Sequence, residues 1–296
     1  MAAAAAVRRG EGCAWSSTSE PLPALAGAPF AISPSVVSEP HHGCCDKARL
    51  LPWYTRAVDY DGVIFDLDGT LVDTLKDIGD AMNRVLAREP APAHTYEEYR
   101  YLVGRGIRNL VTEALPPKMR SDATISRCYE RMLEDYGRNA LVKTRPYEGV
   151  PELVRALRAD GVPLAILSNK ADAPTQAIVA ALLDPDDFVA VIGARPGVPL
   201  KPDPSVALEV AGRLGLAPER IAYLGDSLVD MQTATAAGMI AVGAAWGFRT
   251  RAELVEHGAA TVIDQPLELL GLRGRQPPVE PPPDPAPQER SRQPRT

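Results

Sequence analysis

The chain has 296 residues, 45% of them hydrophobic and 24% charged, with a formal charge of -6 at neutral pH. This is enough apolar material for one large domain or two modest ones. The charge balance lacks the clustered Lys/Arg surplus that neutralises a phosphate backbone, so no nucleic acid partner is expected. No apolar run reaches the roughly 18 residues of a membrane span; the longest candidate, Ala234 to Phe248, is short and interrupted by glycine, so no membrane partner is expected either.

The four cysteines (Cys13, Cys44, Cys45, Cys128) sit at neither disulfide-framework nor zinc spacings, which is the usage of a reducing compartment and predicts a cytoplasmic location. The cluster His41-His42-Gly43-Cys44-Cys45 contains zinc-ligating residue types. Adjacent residues in a loop-like segment rarely converge on one ion, however, and no metal site is expected there.

In chain order, residues 1–57 open with an alanine run, carry scattered Pro, Ser and Gly, and show no sustained period of 3.6 or 2; a disordered N-terminal extension is predicted. Arg8-Arg9 precedes no apolar segment and does not read as a twin-arginine signal, while a transit peptide or an overlong start stays open. The first strand is predicted at Gly62–Phe65. From 75 to 147 the pattern turns helical, with segments at Asp77–Arg88 and Ser121–Tyr136 and no convincing strand. This stretch is too long for a single crossover helix and predicts a helical subdomain beside the sheet.

Further strands are predicted at Pro163–Leu167, Phe188–Ile192, Ile221–Leu224 and Ile240–Val242. Each is short, apolar and bounded by Asp, Gly, Ser or Asn, as strands buried on both faces are. The tail from 273 to 296 is proline-rich and charged, with too little to bury, and is predicted disordered. The expected fold is α/β: a Rossmann-like parallel sheet core over 58–74 and 148–272, interrupted by an α-helical cap at 75–147.

In open α/β sheets, ligands bind beyond the carboxyl ends of the strands. Those ends carry Asp66-Leu67-Asp68-Gly69-Thr70-Leu71-Val72-Asp73-Thr74, then Ser168-Asn169-Lys170, then Leu200-Lys201-Pro202-Asp203-Pro204, then Gly225-Asp226-Ser227-Leu228-Val229-Asp230. Carboxylates gathered at one edge repel, so one takes a proton or a cation joins them. Asp66, Asp68 and Asp226 are hard oxygen donors of the kind Mg²⁺ accepts beside a phosphate.

Ser168 and Lys201 offer a hydroxyl donor and a point charge for phosphoryl oxygens, and Thr70 and Asn169 are grouped with them as phosphate-binding candidates. Gly69 permits a sharp turn that exposes backbone N–H groups to an anion. If the chain curls after the first strand, Asp66 and Asp68 reach one pocket. Asp66 is then the nucleophile, while Asp68 protonates the leaving oxygen and later deprotonates water.

These four segments, in this order, resemble the four motifs of the haloacid dehalogenase superfamily over residues 59 to 271. The resemblance implies a Mg²⁺ ion held by Asp66, the carbonyl of Asp68 and Asp226, with Asp230 in a supporting role. Asp-Gly-Thr-Leu-Val-Asp-Thr, Leu-Ser-Asn-Lys and Lys-Pro-Asp-Pro most resemble its phosphoglycolate phosphatase branch. That branch implies hydrolysis of a small phosphorylated metabolite through an aspartyl-phosphate on Asp66, beneath a cap whose loop Gly104-Arg105-Gly106 meets substrate. Arg105 is read as a candidate partner for a substrate carboxylate, against the plain reading of a solvated surface arginine.

Dehalogenases and phosphonate hydrolases resemble this pattern without an acid at the position of Asp68, which favours phosphoester chemistry. A sugar phosphomutase would keep every motif, and a phospho-acceptor regulator would share the acidic strand ends and the lysine. Other residues take structural readings: Asp73 and Thr74 as helix caps, Asp203 at a helix start, Gly238 at a helix end, and Trp246 as a core or rim aromatic.

Overall fold

The computed structural model describes residues 59–273. The readings of both tails and of the His41–Cys45 cluster lie outside the described residues. Six strands form one parallel sheet: β1 (Gly62–Phe65), β4 (Leu164–Ala171), β5 (Ala190–Ala194), β6 (Ile221–Gly225), β7 (Ile240–Ala244) and β8 (Thr261–Ile263), in the spatial order β5-β4-β1-β6-β7-β8. After β1 the chain builds outward through β4 and β5, then returns to lay β6 on the other side of β1. The topological switch point therefore lies at β1, where open sheets of this kind place their ligands.

Alternate residues of β1 enter different cores. Val63 and Phe65 pack with helices α5 (Val150–Ala159), α6 (Asp172–Leu182) and α10 (Glu268–Leu272), while Ile64 packs with α7 (Ser205–Leu214), α8 (Leu228–Ala236) and α9 (Arg251–Glu256). Both sheet faces are covered, which is why the strands read as continuous apolar runs. Gly238 follows α8 with φ 72°, the left-handed terminus its sequence position predicts.

Between the first strand and α5 lie α1 (Leu75–Ala87), α2 (Tyr96–Leu102), α3 (Ile107–Ala114) and α4 (Asp122–Asn139), which share a third apolar core containing Met82, Tyr99, Leu110 and Met132. Thr95 and Glu98 close a capping box at the start of α2, and the Ser121 side chain accepts from Thr124 N–H at the start of α4. Among the described residues, no helix is long and apolar enough to cross a membrane.

The expectation of no strand between 75 and 147 is corrected. Val72–Asp73 (β2) pairs antiparallel with Arg145–Pro146 (β3), a two-residue ribbon at the two chain crossings, too short to leave any periodicity in the sequence. The buried Asp77 carboxylate ties the same junction, accepting from the N–H groups of Lys143 and Thr144 and from the Thr144 hydroxyl at 2.8–3.0 Å. Strand β5 begins two residues later than expected because Phe188 still caps a short 3₁₀ turn, and the three-residue β8 gave no sequence signal.

A loop after β7 fastens the helical layer to the sheet domain. Phe248 is buried in the third core, and Arg100 of α2 donates to the carbonyls of Gly247 and Phe248 at 2.7 and 3.2 Å. Arg249 donates in return to carbonyls at the end of α2, those of Arg100, Tyr101 and Val103. Phe248→Ala leaves a cavity in that core and is expected to lower unfolding free energy by about 3–5 kcal/mol, measured by urea denaturation; a loss below about 1 kcal/mol contradicts this role for the loop.

Candidate active site

The chain curls after β1 as the two-residue spacing of its acids requires. The N–H groups of Leu71 and Val72 both bond Leu67 O at 3.0 Å, and Gly69 N–H bonds Val72 O at 2.9 Å. Asp66 and Asp68 thereby line one cavity between the sheet edge and the helical layer. Gly69 adopts φ 86°, and a Cβ there would overlap the Asp226 carboxylate, so glycine is needed for both backbone and space. Gly247 abuts Asp226 in the same way from the other side.

Asp66, Asp226 and Asp230 are all buried and can bring one oxygen each within 4.8 Å of one another. The Lys201 ammonium reaches Asp230 Oδ1 at 2.6 Å, Asp66 Oδ1 at 2.9 Å and Leu167 O at 3.1 Å. Asp230 Oδ2 accepts from the Ser227 N–H at 3.0 Å and hydroxyl at 2.5 Å, closing the capping box of α8. Asp226 accepts from the Thr70 hydroxyl at 3.2 Å and from Phe248 N–H at 2.7 Å.

Three carboxylates face one ammonium. Burial, then repulsion from Asp230, opposed by Lys201, pushes the Asp66 carboxyl up to about 7. Burial, then Asp230 and Asp66, lifts Asp226 well above the carboxylate range. Burial disfavours the charged form of Lys201, but Asp230 and Asp66 outweigh it and hold the ammonium well above its ordinary value. Lys201 is shared between Asp66 and Asp230, so one ammonium stands against three buried carboxylates. That excess of buried negative charge on hard oxygen donors fits a divalent cation such as Mg²⁺.

The Asp68 carboxylate belongs to a second cluster. Lys170 donates to both its oxygens at 2.9 and 3.0 Å, and the Thr74 hydroxyl donates to Oδ1 at 2.7 Å. Thr74 precedes α1 but makes no side-chain cap, correcting the capping reading; its hydroxyl holds Asp68 instead, and Asp73 Oδ1 accepts from Leu75 N–H at 3.3 Å. The carboxylates brought close enough to share a cation are thus those of Asp66, Asp226 and Asp230, with the Asp68 side chain engaged elsewhere.

Ser168, Asn169 and Lys170 all line the cavity because the register of β4 against β5 shifts between Leu167 and Ala171, and such an irregularity re-aims side chains that strict alternation would send to opposite faces. Asn169 differs from its expected phosphate-binding role. Its side chain donates to the carbonyls of Gly104 and Lys201, both at 3.0 Å, and accepts from Lys201 N–H at 2.9 Å, joining the cap loop to the lysine loop. Thr70 likewise commits its hydroxyl to Asp226, and Lys201 does not line the cavity.

Gly104 (φ 116°) and Gly106 (φ 84°) do line it, whereas Arg105 is exposed and faces an adjoining groove. Asp203 accepts from Ser205 N–H at 2.9 Å at the start of α7, and Trp246 donates to Thr70 O at 3.0 Å, bracing the Asp66 loop. Sequence reasoning left Lys170 without a role, although it directly follows Ser168-Asn169. The contacts of Arg100, Gly247 and Arg249 had no local signal at all.

A family model described as haloacid dehalogenase-like hydrolase matches residues 60–238. The chain belongs to this family. A phosphoglycolate phosphatase of Mesorhizobium japonicum is 35% identical over 221 residues, covering 72% of this chain and 97% of its own. Another, of Haemophilus influenzae, is 30% identical over 214 residues, covering 70% and 96%. The chain is an enzyme of the phosphoric monoester hydrolase class that these relatives represent.

Among solved structures, a predicted phosphoglycolate phosphatase from Haemophilus somnus aligns with a TM-score of 0.68 at 26% identity, over 72% of this chain and 97% of its own. CbbY from Rhodobacter sphaeroides, solved with xylulose-1,5-bisphosphate, reaches 0.61 at 22% identity over 72% and 99%, a likeness of fold alone.

The acid cluster makes stability depend on pH. Because the folded state holds the Asp66 proton up to about pH 7, its contribution is complete below the ordinary carboxylate value near pH 4 and is lost as pH rises toward 7. In chelator, the urea midpoint is expected to fall between pH 5 and pH 7.5 and to recover at pH 7.5 with added Mg²⁺. Asp226→Asn removes an acid whose ionisation the folded cluster opposes and should raise the pH 7.5 midpoint in chelator above wild type; a lower midpoint contradicts the repulsion.

Proposed function

We propose that this enzyme is a Mg²⁺-dependent phosphatase that hydrolyses a small phosphorylated metabolite, 2-phosphoglycolate by the best match, through an aspartyl-phosphate on Asp66. The observation that carries this reading is the opening of the Asp66 and Asp68 carboxylates on one cavity, each paired with its own lysine.

In the first half-reaction an Asp66 oxygen bonds to phosphorus as the ester P–O bond breaks, and the leaving oxygen takes a proton from Asp68. In the second, water gives a proton to Asp68 and attacks phosphorus, the acyl-phosphate P–O bond breaks, and inorganic phosphate leaves with Asp66 restored. Lys201 holds Asp66 in place, and Lys170 with Thr74 orients Asp68. The Ser168 hydroxyl is available to a phosphoryl oxygen, and Asp230 fixes Lys201. A Mg²⁺ ion held by Asp66, the Asp68 carbonyl and Asp226 would offset charge on the transferring phosphoryl group.

The roof of the cavity is nearly devoid of polar side chains, which supports a small substrate over a hexose phosphate with several hydroxyls to satisfy. The phosphoglycolate reading for this chain rests on its 30–35% identity to the two phosphoglycolate phosphatases described above.

Phosphate release from a panel of 2-phosphoglycolate, hexose phosphates, nucleotides and pyrophosphate is expected to be fastest with the first and to require Mg²⁺. Asp66→Asn should reduce turnover roughly a thousandfold or more, and acid-quenched wild type should carry phosphate on the Asp66 peptide by mass spectrometry. Undiminished turnover by Asp66→Asn excludes the covalent route, and isomerisation of a hexose phosphate without release makes the chain a mutase.

A further inference from the structure

The cavity has a polar floor and an apolar roof. Asp66, Asp68 and Ser168 stand on the floor, and the only side chain from helices α1–α4 that lines the cavity and can donate a hydrogen bond is Tyr136. Its ring belongs to the core of the helical layer, which explains the ring but not the hydroxyl. Tyr136 is 2% exposed, and its hydroxyl is closed to solvent with no hydrogen-bond partner.

The Lys170 ammonium stands 4.5 Å from the centroid of that ring. It gives N–H bonds to both oxygens of Asp68, leaving one of its three donors. Even with that donor aimed at the phenolic oxygen, the hydrogen of the phenol has no acceptor. A donor buried in the wall of a ligand cavity at such cost points to an acceptor that arrives with the ligand.

We propose that Tyr136 and Lys170 form a carboxylate subsite, so that the site selects phosphorylated hydroxy acids over neutral phosphoesters of the same size. This rests on the phosphatase reading and adds to it the residues that recognise the far end of the substrate. An O–H donor and an ammonium together match the two oxygens of a carboxylate. The surrounding apolar roof offers nothing to a polyol.

The test is a ratio of affinities. Calorimetric titration of the full-length Asp66→Asn protein with 2-phosphoglycolate and with ethyl phosphate, which has the same two carbons and no carboxylate, defines the preference; Tyr136→Phe is then added to that background. The preference for the acid is expected to fall roughly tenfold or more, and Lys170→Met should lower it in the same direction. Because the hydroxyl has no partner in the free protein and its burial is costly, Tyr136→Phe should raise the thermal midpoint rather than lower it.

A preference that stays within about twofold in both variants, or a Tyr136→Phe protein that loses both ligands equally, overturns the subsite. Phosphate release by the wild-type chain is scored separately. A lost preference without release keeps the subsite and removes the phosphatase reading; release with an unmoved preference does the reverse.

Discussion

The structure is organised around an unbalanced buried charge: three carboxylates packed about one ammonium at the edge of the sheet. Neighbouring strands create it. Phe65 of β1 lies opposite Leu224 of β6, so the two strands end side by side, with Asp66 directly after the first and Asp226 directly after Gly225 of the second. Such closeness is possible only because glycine stands at positions 69, 225 and 247, where a side chain would collide with Asp226 or Asp230. The arrangement is poor for the folded state alone and well suited to a divalent cation and an anionic substrate, the common trade between stability and function at active sites.

A second consequence of crowding is the division between two lysines. Lys201 is bound to Asp66 and Asp230, and Lys170 to Asp68, so two acids two residues apart sit in different electrostatic surroundings. Asp66 takes burial and the repulsion of Asp230, while Asp68 is held by a lysine and a threonine hydroxyl on the cavity side. Carboxylates given different environments can take different roles, one as nucleophile and one as proton carrier.

Much of this was legible in the sequence because buried parallel strands and their polar ends are local signals. The run Gly62–Phe65 and the acids after it announce both the strand and the site, and the helical periods of Asp77–Arg88 and Ser121–Tyr136 announce the inserted layer. What stayed hidden depends on pairing between distant segments. The Val72–Pro146 ribbon is two residues long, and Asn169 could not be recognised as a bridge between Gly104 and Lys201 from its own neighbours. Thr74 precedes α1, as a capping residue would, yet bonds Asp68, a choice made by the curl of the chain rather than by position. The irregularity in β4 hid Lys170 in the same way, since strict alternation does not place three successive side chains in one cavity.

The short loop at 246–249 connects matters that look separate. Its tryptophan holds the Thr70 carbonyl, its Phe248 N–H holds Asp226, and its last three residues interlock with Arg100 and the end of α2. One segment of four residues thus serves as both wall of the acid cluster and hinge plate of the roof. The α2 end of the helical layer and the Asp226 carboxylate are therefore anchored to the same four residues, so the position of the roof and the position of that acid are set together.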